Sequence, residues 1–308
     1  MSYLFVYFTM DGNEDKESIW FSVSRDGLHW KDLGTDEPVL RSRLGTKGVR
    51  DPFIVYDGEQ KKYFIIVTDL LTANGCGWDN AASKGSRSIL IWESVDLLHW
   101  SDERLVEVGI PGAGCVWAPE AIYCEREKAW FVFWASCVKQ PGEQTAKQRI
   151  YGAFTRDFIS FSPAFKYIES DADIIDTDIV WDGKYYYRFS KDDTDKTITV
   201  ERCRELLPRG AEQYEGIHSE LLSGYEGLEG PQVYYLKSLK KWCLIADRYR
   251  VKGGYVPFVT DDLSSGVFTQ LPDDAYDMGT RRKRHGGILP IPDELADKLT
   301  DYYGICEC

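Results

Sequence analysis

Short apolar runs recur along most of the chain, and clusters of Gly, Asp, Asn and Lys separate them. Each run is about as long as a β-strand and is rich in the β-branched and aromatic residues that favour strands. Clear examples are residues 3–8, 18–23, 63–67, 88–92 and 130–134. A convincing helix is predicted only near the end, where Asp293 can cap residues 294–302. The pattern predicts an all-β protein, and no Gly/Ser-rich linker divides residues 1–308 into separate domains.

A repeated turn motif supports this interpretation. A strand end is followed by an Asp and then by an aromatic residue, and the Asp can bond the backbone N–H groups of its own turn. Four clear copies occur, at Ser24–Trp30, Ser94–Trp100, Thr155–Phe161 and Thr260–Phe268. Four copies of such a specific pattern indicate repeated structural units.

A second repeated element opens each unit with a polar entry into a short apolar strand. Its markers are Asp51, Ala118, Asp176, Glu229 and His285, which are 67, 58, 53 and 56 residues apart. Five units of about 55–65 residues, with about four strands each, predict a five-bladed β-propeller.

The last unit is too short to be complete. It starts at His285 and the sequence ends at Cys308, which leaves no room for its outer strands. The first 45 residues contain three strand signals but no opening element. We therefore predict that the N-terminal strands complete the last blade and close the ring.

Charge and composition exclude several classes of partner. The net charge is −13 and the pI about 4.9, whereas nucleic-acid binding needs clustered positive charge. The one basic run, Arg281–Arg284, is too short to change this. No apolar run approaches the length of a membrane span. We therefore expect neither a nucleic acid nor a membrane as a partner.

Cysteine usage and the first residues bear on the compartment. The eight cysteines include no C-x-x-C pair, and with four histidines a zinc site is not expected. Most are predicted to be reduced, buried, small hydrophobic residues. The first residues lack the basic segment of a secretion signal. These features predict a cytoplasmic protein.

The opening elements also carry the candidate chemistry. The innermost strands of a propeller run along its axis, so Asp51, Asp176 and Glu229 should converge at one mouth of the channel. Carboxylates at close quarters raise at least one pKa, which suits a general acid. Inverting glycoside hydrolysis needs one protonated carboxylic acid and one ionised carboxylate that activates water.

The order and spacing of these motifs resemble glycoside hydrolase family 43. The landmarks are Arg50–Ile54, Trp117–Glu120, Ile175–Asp176, Glu229–Val233 and Arg284–Gly286. The resemblance covers nearly the whole chain. It implies an inverting mechanism on β-xylosides, α-L-arabinofuranosides or related glycans. By motif match, Asp51 is the general base, Glu229 the general acid, and Asp176 the residue that orients the acid and tunes its pKa.

Two neighbouring acids are rivals, and the resemblance also implies a cation. Strand alternation puts Asp178 on the same face as Asp176, and Glu226 lies three residues before Glu229. The His that matches His285 in family members often lies near a bound, largely water-coordinated cation, frequently calcium. A structural Ca²⁺ beside His285 is therefore expected, with no organic cofactor.

Four other residues are candidates for substrate binding. Trp117 is a candidate platform for the sugar, and Arg284 and Arg248 are candidate clamps for hydroxyl or carboxylate groups. Trp78 lies in a loop rich in Gly and Asn that can wall the pocket. Two long loops, residues 71–87 and 139–148, are predicted to restrict the site to one terminal sugar.

These observations predict an exo-glycosidase that releases terminal pentoses from short hemicellulose oligosaccharides. Alternatives within the same fold are an exo-galactosidase and an endo-arabinanase, and a non-catalytic sugar-binding propeller is the alternative from another class. Sucrose and fructan hydrolases share the Arg-Asp-Pro motif, but their Asn-Asp-Pro-Asn-Gly type of segment is not present. A phosphorylase would need a basic phosphate cradle, for which Arg281–Arg284 is the candidate.

Overall fold

The protein is a five-bladed β-propeller, as the sequence predicts. A computed structural model describes residues 1–10, 16–34 and 37–306. Within these ranges, twenty strands form five antiparallel sheets of four strands each. No helix in the described part of the chain is long and apolar enough to cross a membrane.

The strands follow the blades in chain order. The chain begins in blade 5 with β1 (Ser2–Thr9), β2 (Trp20–Ser24) and β3 (Trp30–Asp32). Blade 1 comprises β4 (Val49–Asp57), β5 (Lys62–Asp69), β6 (Ser88–Ser94) and β7 (Arg104–Glu107). Blade 2 comprises β8 (Trp117–Cys124), β9 (Ala129–Val138), β10 (Lys147–Thr155) and β11 (Phe165–Ile168). Blade 3 comprises β12 (Ile174–Trp181), β13 (Tyr186–Asp192), β14 (Thr197–Cys203) and β15 (Glu215–Ile217).

Blade 4 and the innermost strand of blade 5 complete the ring. Blade 4 comprises β16 (Glu229–Leu236), β17 (Lys241–Asp247), β18 (Tyr255–Thr260) and β19 (Thr269–Gln270). Blade 5 ends with β20 (Lys283–Ile291). The helices are α1 (Trp78–Lys84), α2 (Glu220–Gly224) and α3 (Asp293–Tyr303), and short 3₁₀ turns span Tyr249–Val251, Leu263–Ser265 and Asp273–Ala275.

The N-terminal strands close the ring, which confirms the prediction. The innermost strand β20 pairs with β1 in antiparallel register, with Leu4 opposite Leu289. The sheet order is β20-β1-β2-β3, so the start of the chain supplies three of the four strands of blade 5. Apolar side chains between blades bury the contact, including Leu4, Val6 and Ile54.

The predicted helix is present, but its capping was predicted wrongly. Asp293 is the first residue of α3 and not its cap, because Pro292 occupies the capping position. The Asp293 carboxylate instead accepts hydrogen bonds from the N-terminal amine and the Ser2 hydroxyl, at 2.8 and 2.7 Å. A negative charge is still favourable there, because it lies at the positive end of the helix dipole.

The repeated turn works as its sequence indicates. The carboxylate of Asp26 accepts from the backbone N–H groups of Leu28 and His29, at 2.8 and 2.9 Å. Asp96 and Asp157 bond the equivalent groups of their own turns. His29 and His99 contact the Asp of their own turns and lie away from the channel. These turns therefore stabilise the blades and take no part in the site.

Each innermost strand carries a β-bulge close to its start. In blades 1, 2 and 4 the register shifts across Arg50 to Phe53, Trp117 to Glu120 and Glu229 to Gln232. The residue inside the bulge has a positive φ: 50° at Asp51, 47° at Ala118, 46° at Asp176 and 55° at Gly230. The structural counterpart of Asp51 in blade 4 is therefore Gly230, and the marker Glu229 was one residue early. A bulge redirects the side chains beside it, here those at the mouth of the channel.

The cysteines agree with the prediction where they are described. Seven are free, and five of these are buried: Cys115, Cys124, Cys203, Cys243 and Cys306. Cys308 lies outside the described residues.

Candidate active site

A cavity of about 530 Å³ opens where the innermost strands of all five blades begin. Residues from each of these strands line it: Arg50, Asp51, Trp117, Ile175, Asp176, Glu229, Arg284 and His285. A second cavity of about 510 Å³ lies on blade 3 and contains none of the predicted site residues. The central cavity is the candidate site because buried acids from different blades converge on it.

Asp51 is held at one of its two carboxylate oxygens. The Thr68 hydroxyl donates to its Oδ2 at 2.9 Å, and the backbone N–H of Ala118 donates to Thr68 Oγ1 at 2.7 Å. The other oxygen, Oδ1, lies 3.7 Å from Nδ1 of His285. Blades 1 and 2 together therefore orient the carboxylate through Thr68. The hydrogen bond from Thr68 occupies Oδ2 and leaves Oδ1 available.

Asp176 lies beside Asp51 in the same cavity. Its Oδ2 accepts from the backbone N–H of Gly230 at 3.1 Å, and its Oδ1 is 3.7 Å from Nδ1 of His285. Burial raises the pKa of Asp176 to about 6, against the opposing attraction of His285 and Lys191. This carboxyl group can therefore hold or release a proton close to neutral pH.

The rival acids lie elsewhere. Asp178 accepts from the backbone N–H of Val233 at 2.7 Å and does not line the cavity. Glu226 is exposed and pairs with Arg250 at the surface. Of the paired candidates, Asp176 and Glu229 are the ones that reach the cavity.

Glu229 is clamped between two cations. The Lys191 ammonium is 3.1 Å from Oε2, and Nη2 of Arg284 is 2.6 Å from Oε1. Burial alone would raise the pKa of Glu229, but the charges of Lys191 and Arg284 outweigh it and lower the pKa. Arg284 also contacts Asp247 through its Nε atom. The two cations therefore favour the charged form of Glu229.

A third buried acid lies against the axial histidine. Oε1 of Glu120 is 3.7 Å from Nε2 of His285 and accepts from the Gln232 amide at 2.7 Å. Burial, with the neighbouring charges of Asp178 and Asp176, raises the pKa of Glu120 well above its usual range. The raised pKa favours the protonated form of Glu120, and its Oε2 atom has no hydrogen-bond partner among the described residues.

The surroundings of His285 bear on the expected calcium ion. The imidazole lies 3.7 Å from an oxygen of each of three carboxyl groups, those of Asp51, Asp176 and Glu120. Among the described residues, no group of three or more His, Cys, Asp or Glu side chains is arranged to hold a metal ion. Direct coordination by side chains therefore does not fit, and a mainly hydrated ion beside His285 stays a prediction.

Two tryptophans form the aromatic wall of the cavity. Trp78, the first residue of α1, is 57 % exposed and meets Trp117 edge to face at a centroid distance of 6.1 Å. The Arg50 guanidinium lies 5.2 Å from the Trp78 ring. From the loop 71–87, Asp79 and Ala82 also line the cavity. From the loop 139–148, Gln148 lines it.

Arg248 lies outside the cavity. Its guanidinium donates to the backbone carbonyls of Gly253 and Gly254, at 2.8 and 3.4 Å, and closes its own loop. It lines a separate groove beside Met278. The prediction that Arg248 binds substrate is therefore wrong for this cavity, because the side chain turns back onto the turn that follows β17.

The basic run does not form a phosphate cradle. Arg281 donates to the carbonyls of Leu33 and Gly34 and lies over the Trp20 ring. Lys283 is buried against Asp32. Of the run, Arg284 lines the cavity.

Three side chains that contact the site residues were not predicted from the sequence, and they occupy equivalent positions in their blades. Thr68, Lys191 and Asp247 lie on the second strands of their blades, opposite the residue that precedes or begins the bulge. Each contacts a site residue: Thr68 bonds Asp51, Lys191 bonds Glu229, and Asp247 bonds Arg284. The cross-strand partner of each opening element would have identified them.

Comparison with known proteins agrees with the fold and the motif order. A sequence model of the glycosyl hydrolase 43-related family, described as a probable glycosyl hydrolase domain, matches residues 1–297. The chain is 28 % identical over 242 residues to an α-L-arabinofuranosidase of Bifidobacterium longum, which covers 70 % of this chain and 22 % of that protein. The chain thus spans about a fifth of the length of this curated relative.

Solved structures share the propeller at low identity. A family 43 β-1,3-galactosidase solved with galactodeoxynojirimycin superposes with a TM-score of 0.59 at 12 % identity, covering 92 % of this chain and 91 % of that one. The catalytic domain of a family 62 α-L-arabinofuranosidase from Coprinopsis cinerea gives a TM-score of 0.52 at 12 % identity, covering 79 % and 73 %. At such identities the likeness shows the fold alone.

Proposed function

Because the chain belongs to the glycosyl hydrolase 43-related family, we propose that its central cavity is the active site of an inverting exo-glycosidase. The substrate we propose is a short hemicellulose oligosaccharide that ends in α-L-arabinofuranose or β-D-xylose. One observation carries the proposal: Asp51, Asp176 and Glu229 come from three different blades and line one cavity.

The proposed roles are those that the family resemblance implies, and the surroundings of Asp51 support its part. Asp51 is the base that takes a proton from water, since Thr68 holds one oxygen and the other remains available. Glu229 is the acid that protonates the leaving oxygen. Because Lys191 and Arg284 lower its pKa, it is a strong acid that has to take up a proton before each turnover. Asp176 lines the same cavity, where its carboxyl group interacts electrostatically with Lys191, Glu229 and Asp51. Direct attack by water, with acid and base on opposite sides of the sugar, inverts the anomeric configuration.

The walls of the cavity support exo action on a small sugar. Trp78 and Trp117 offer aromatic surface at the rim, and α1 closes one side of the opening. A volume of about 530 Å³ is within the usual range for a small-molecule site. The arabinofuranosidase relative supports arabinose as the first sugar to test.

The first experiment measures release of p-nitrophenol from the α-L-arabinofuranoside, β-D-xyloside and β-D-galactoside. We expect turnover of one or both pentosides, and early proton NMR should show the product with inverted configuration. Initial appearance of the retained anomer would contradict a single displacement. Turnover of the β-D-galactoside alone would show that the terminal sugar is galactose and not a pentose.

A second measurement separates an enzyme from a sugar-binding propeller. Glu229→Gln should lose turnover of substrates with poor leaving groups and retain more with aryl glycosides, because good leaving groups need less protonation. The control is Glu226→Gln, at the exposed rival acid. Sugar binding without turnover in the unaltered protein would favour the non-catalytic alternative. Rapid loss of viscosity from polymeric arabinan or xylan would instead indicate an endo enzyme.

A further inference from the structure

Lys191 occupies a place in the cavity that no sequence motif marks. It lies on β13 opposite Ile175, the residue before Asp176, and its side chain is only 5 % exposed. Its ammonium group is 3.1 Å from Oε2 of Glu229 and 3.0 Å from Oδ1 of Asp193. The Tyr249 ring lies 4.4 Å from the same nitrogen. Blade 3 therefore reaches across to the acid of blade 4 through a buried cation.

We propose that Lys191 is a positioning residue for Glu229, and that it sets the pH above which the site loses its proton donor. The inference rests on the proposed role of Glu229 as the general acid. Each oxygen of Glu229 has one cationic partner: Lys191 at Oε2 and Arg284 at Oε1. The Lys191 charge orients the carboxyl group and stabilises the carboxylate that remains after the proton has moved to the leaving oxygen.

Several charged or titratable groups face Glu229 from the elements packed around it. They are Lys191 on β13, Arg284 on β20, Asp176 on β12, Asp247 on β17 and Tyr255 on β18. The two cations attract the charged form of Glu229, and the two Asp residues oppose it when they are ionised. The attraction of the two cations is the larger effect, since the pKa of Glu229 is lowered in spite of its burial.

Of the two cations that contact Glu229, Lys191 can be replaced with less disturbance of other buried charges than Arg284. Arg284 also balances Asp247, which is almost fully buried, so its removal would leave a second buried charge without a partner. The other partner of Lys191 is Asp193, which is 31 % exposed and keeps an ion pair with Lys196 at 2.9 Å. A change at Lys191 therefore acts on Glu229 by loss of a direct contact, and on Asp176 only through charge.

The test is the pH dependence of kcat/KM in Lys191→Met. Activity falls at high pH when the acid loses its proton, and this basic limb should move up by about one pH unit when an adjacent positive charge is removed. The low-pH plateau should fall for poor leaving groups, because Glu229 is then a weaker acid. It should change less for activated aryl glycosides. A basic limb that stays at the same pH would overturn the proposal.

Two variants provide matched controls. Lys196→Met removes a second cation that lines the cavity and pairs with Asp193, but it has no contact with Glu229 in the structure. Its basic limb should stay at the wild-type pH, and an equal shift in this variant would contradict a specific role for Lys191. Lys191→Arg keeps the charge and should keep the limb near its original position. Lys191→Gln repeats the test if the Met variant does not fold.

A direct titration separates this inference from the proposed function. In protein labelled with ¹³C at the Glu carboxyl carbon, the resonance of Glu229 is assigned by its loss in Glu229→Gln and followed with pH. We expect its titration midpoint to rise in Lys191→Met and to stay in place in Lys196→Met. If no glycoside is hydrolysed, the enzymatic proposal fails while this titration still tests Lys191. An unmoved midpoint in an active enzyme would sink the inference about Lys191 alone.

Discussion

Two buried groups of charged side chains in this propeller are built in opposite ways. At the ring closure, the carboxylate of Asp32 accepts from Tyr7, Ser22 and Lys283 at Oδ1 and from Thr280 and the Arg281 backbone at Oδ2. Around the axis, three acids surround one histidine at 3.7 Å, and one oxygen of Glu120 has no donor among the described residues.

The difference shows how one fold uses buried charge for two purposes. The closing group is balanced and fully hydrogen-bonded, so it joins β3 to β20 and rigidifies the last blade. The axial group has more acids than donors, which raises the pKa of Asp176 and Glu120 through burial and repulsion. Unbalanced charge of this kind is characteristic of functional sites, where local stability is given up for reactivity.

The largest expected effect comes from the axial group. Asp51→Asn keeps the size of the side chain and tolerates the left-handed backbone, but it cannot take a proton from water. We expect kcat/KM to fall by about 10²- to 10⁴-fold, with the free energy of unfolding little changed. Steady-state kinetics and denaturant unfolding on the same preparation would check this. Activity retained at the wild-type level would exclude Asp51 as the base.

The closing group should show the reverse response. Lys283→Met leaves the fully buried Asp32 carboxylate without its counter-charge, so we expect the free energy of unfolding to drop by about 3–5 kcal/mol. The kcat of the protein that remains folded should hold. Lys241→Met, which removes an ion pair with the exposed Asp261, should cost at most about 1 kcal/mol. Similar losses of unfolding free energy in Lys283→Met and Lys241→Met would contradict a special stabilising role for the buried ion pair.

The two groups should also depend on pH with opposite signs. Lys283 overcomes burial and lowers the pKa of Asp32 from 3.8 to about 2, so its stabilisation is present above the unfolded value and is lost toward pH 2. Burial raises the pKa of Asp176 to about 6, so its contribution is present below 3.8 and is lost as the pH rises through 6.

Stability measured against pH would sharpen this comparison. We expect the free energy of unfolding to fall between about pH 4 and pH 7, and Asp176→Asn to reduce that fall by about 1–3 kcal/mol. Lys283→Met should instead change the profile below pH 4. An Asp176→Asn profile parallel to that of the unaltered protein would show that this acid is not strained by its surroundings.

The smallest effect concerns the backbone of the bulges. Ala118 has the same left-handed conformation as Asp51 and Asp176 but carries no charge. Ala118→Gly removes the cost of a left-handed Cβ, which is about 1–2 kcal/mol, and adds the entropy cost of glycine, which is about 0.5–1 kcal/mol. We expect a gain in stability of up to about 1.5 kcal/mol in denaturant unfolding. A loss would show that the bulge is not strained.

Motif order predicted the ring of blades, and local geometry decided the rest. The five opening elements and the Asp turns repeat in sequence, so the blades and the closure of the last one could be predicted. The sequence marker of blade 4, Glu229, lies one residue before Gly230, and it is Gly230 that has the backbone conformation of Asp51. An alignment of the blades on acidic residues does not detect this offset. The long side chain of Glu229 reaches the cavity from the position before the bulge.

Residues that depend on cross-strand register were harder to find. Lys191 and Thr68 sit in second strands with no motif around them, and only the pairing of strands brings them to Glu229 and Asp51. Arg248 follows the end of β17, and the direction of its side chain depends on the turn that comes next. A side chain that points back onto its own loop leaves no trace in residue type or spacing.

The closure of the last blade also determines when the central cavity can form during synthesis of the protein. Leu4 on β1 and its partner Leu289 on β20 are about 285 residues apart. At about 5–20 residues per second, a ribosome needs roughly 15–60 s to make the segment between them. Until then the nascent β1 has an open inner edge, which can pair with other chains. The cavity also lacks Arg284 and His285 until then, so it can be completed only when translation of the propeller is nearly finished.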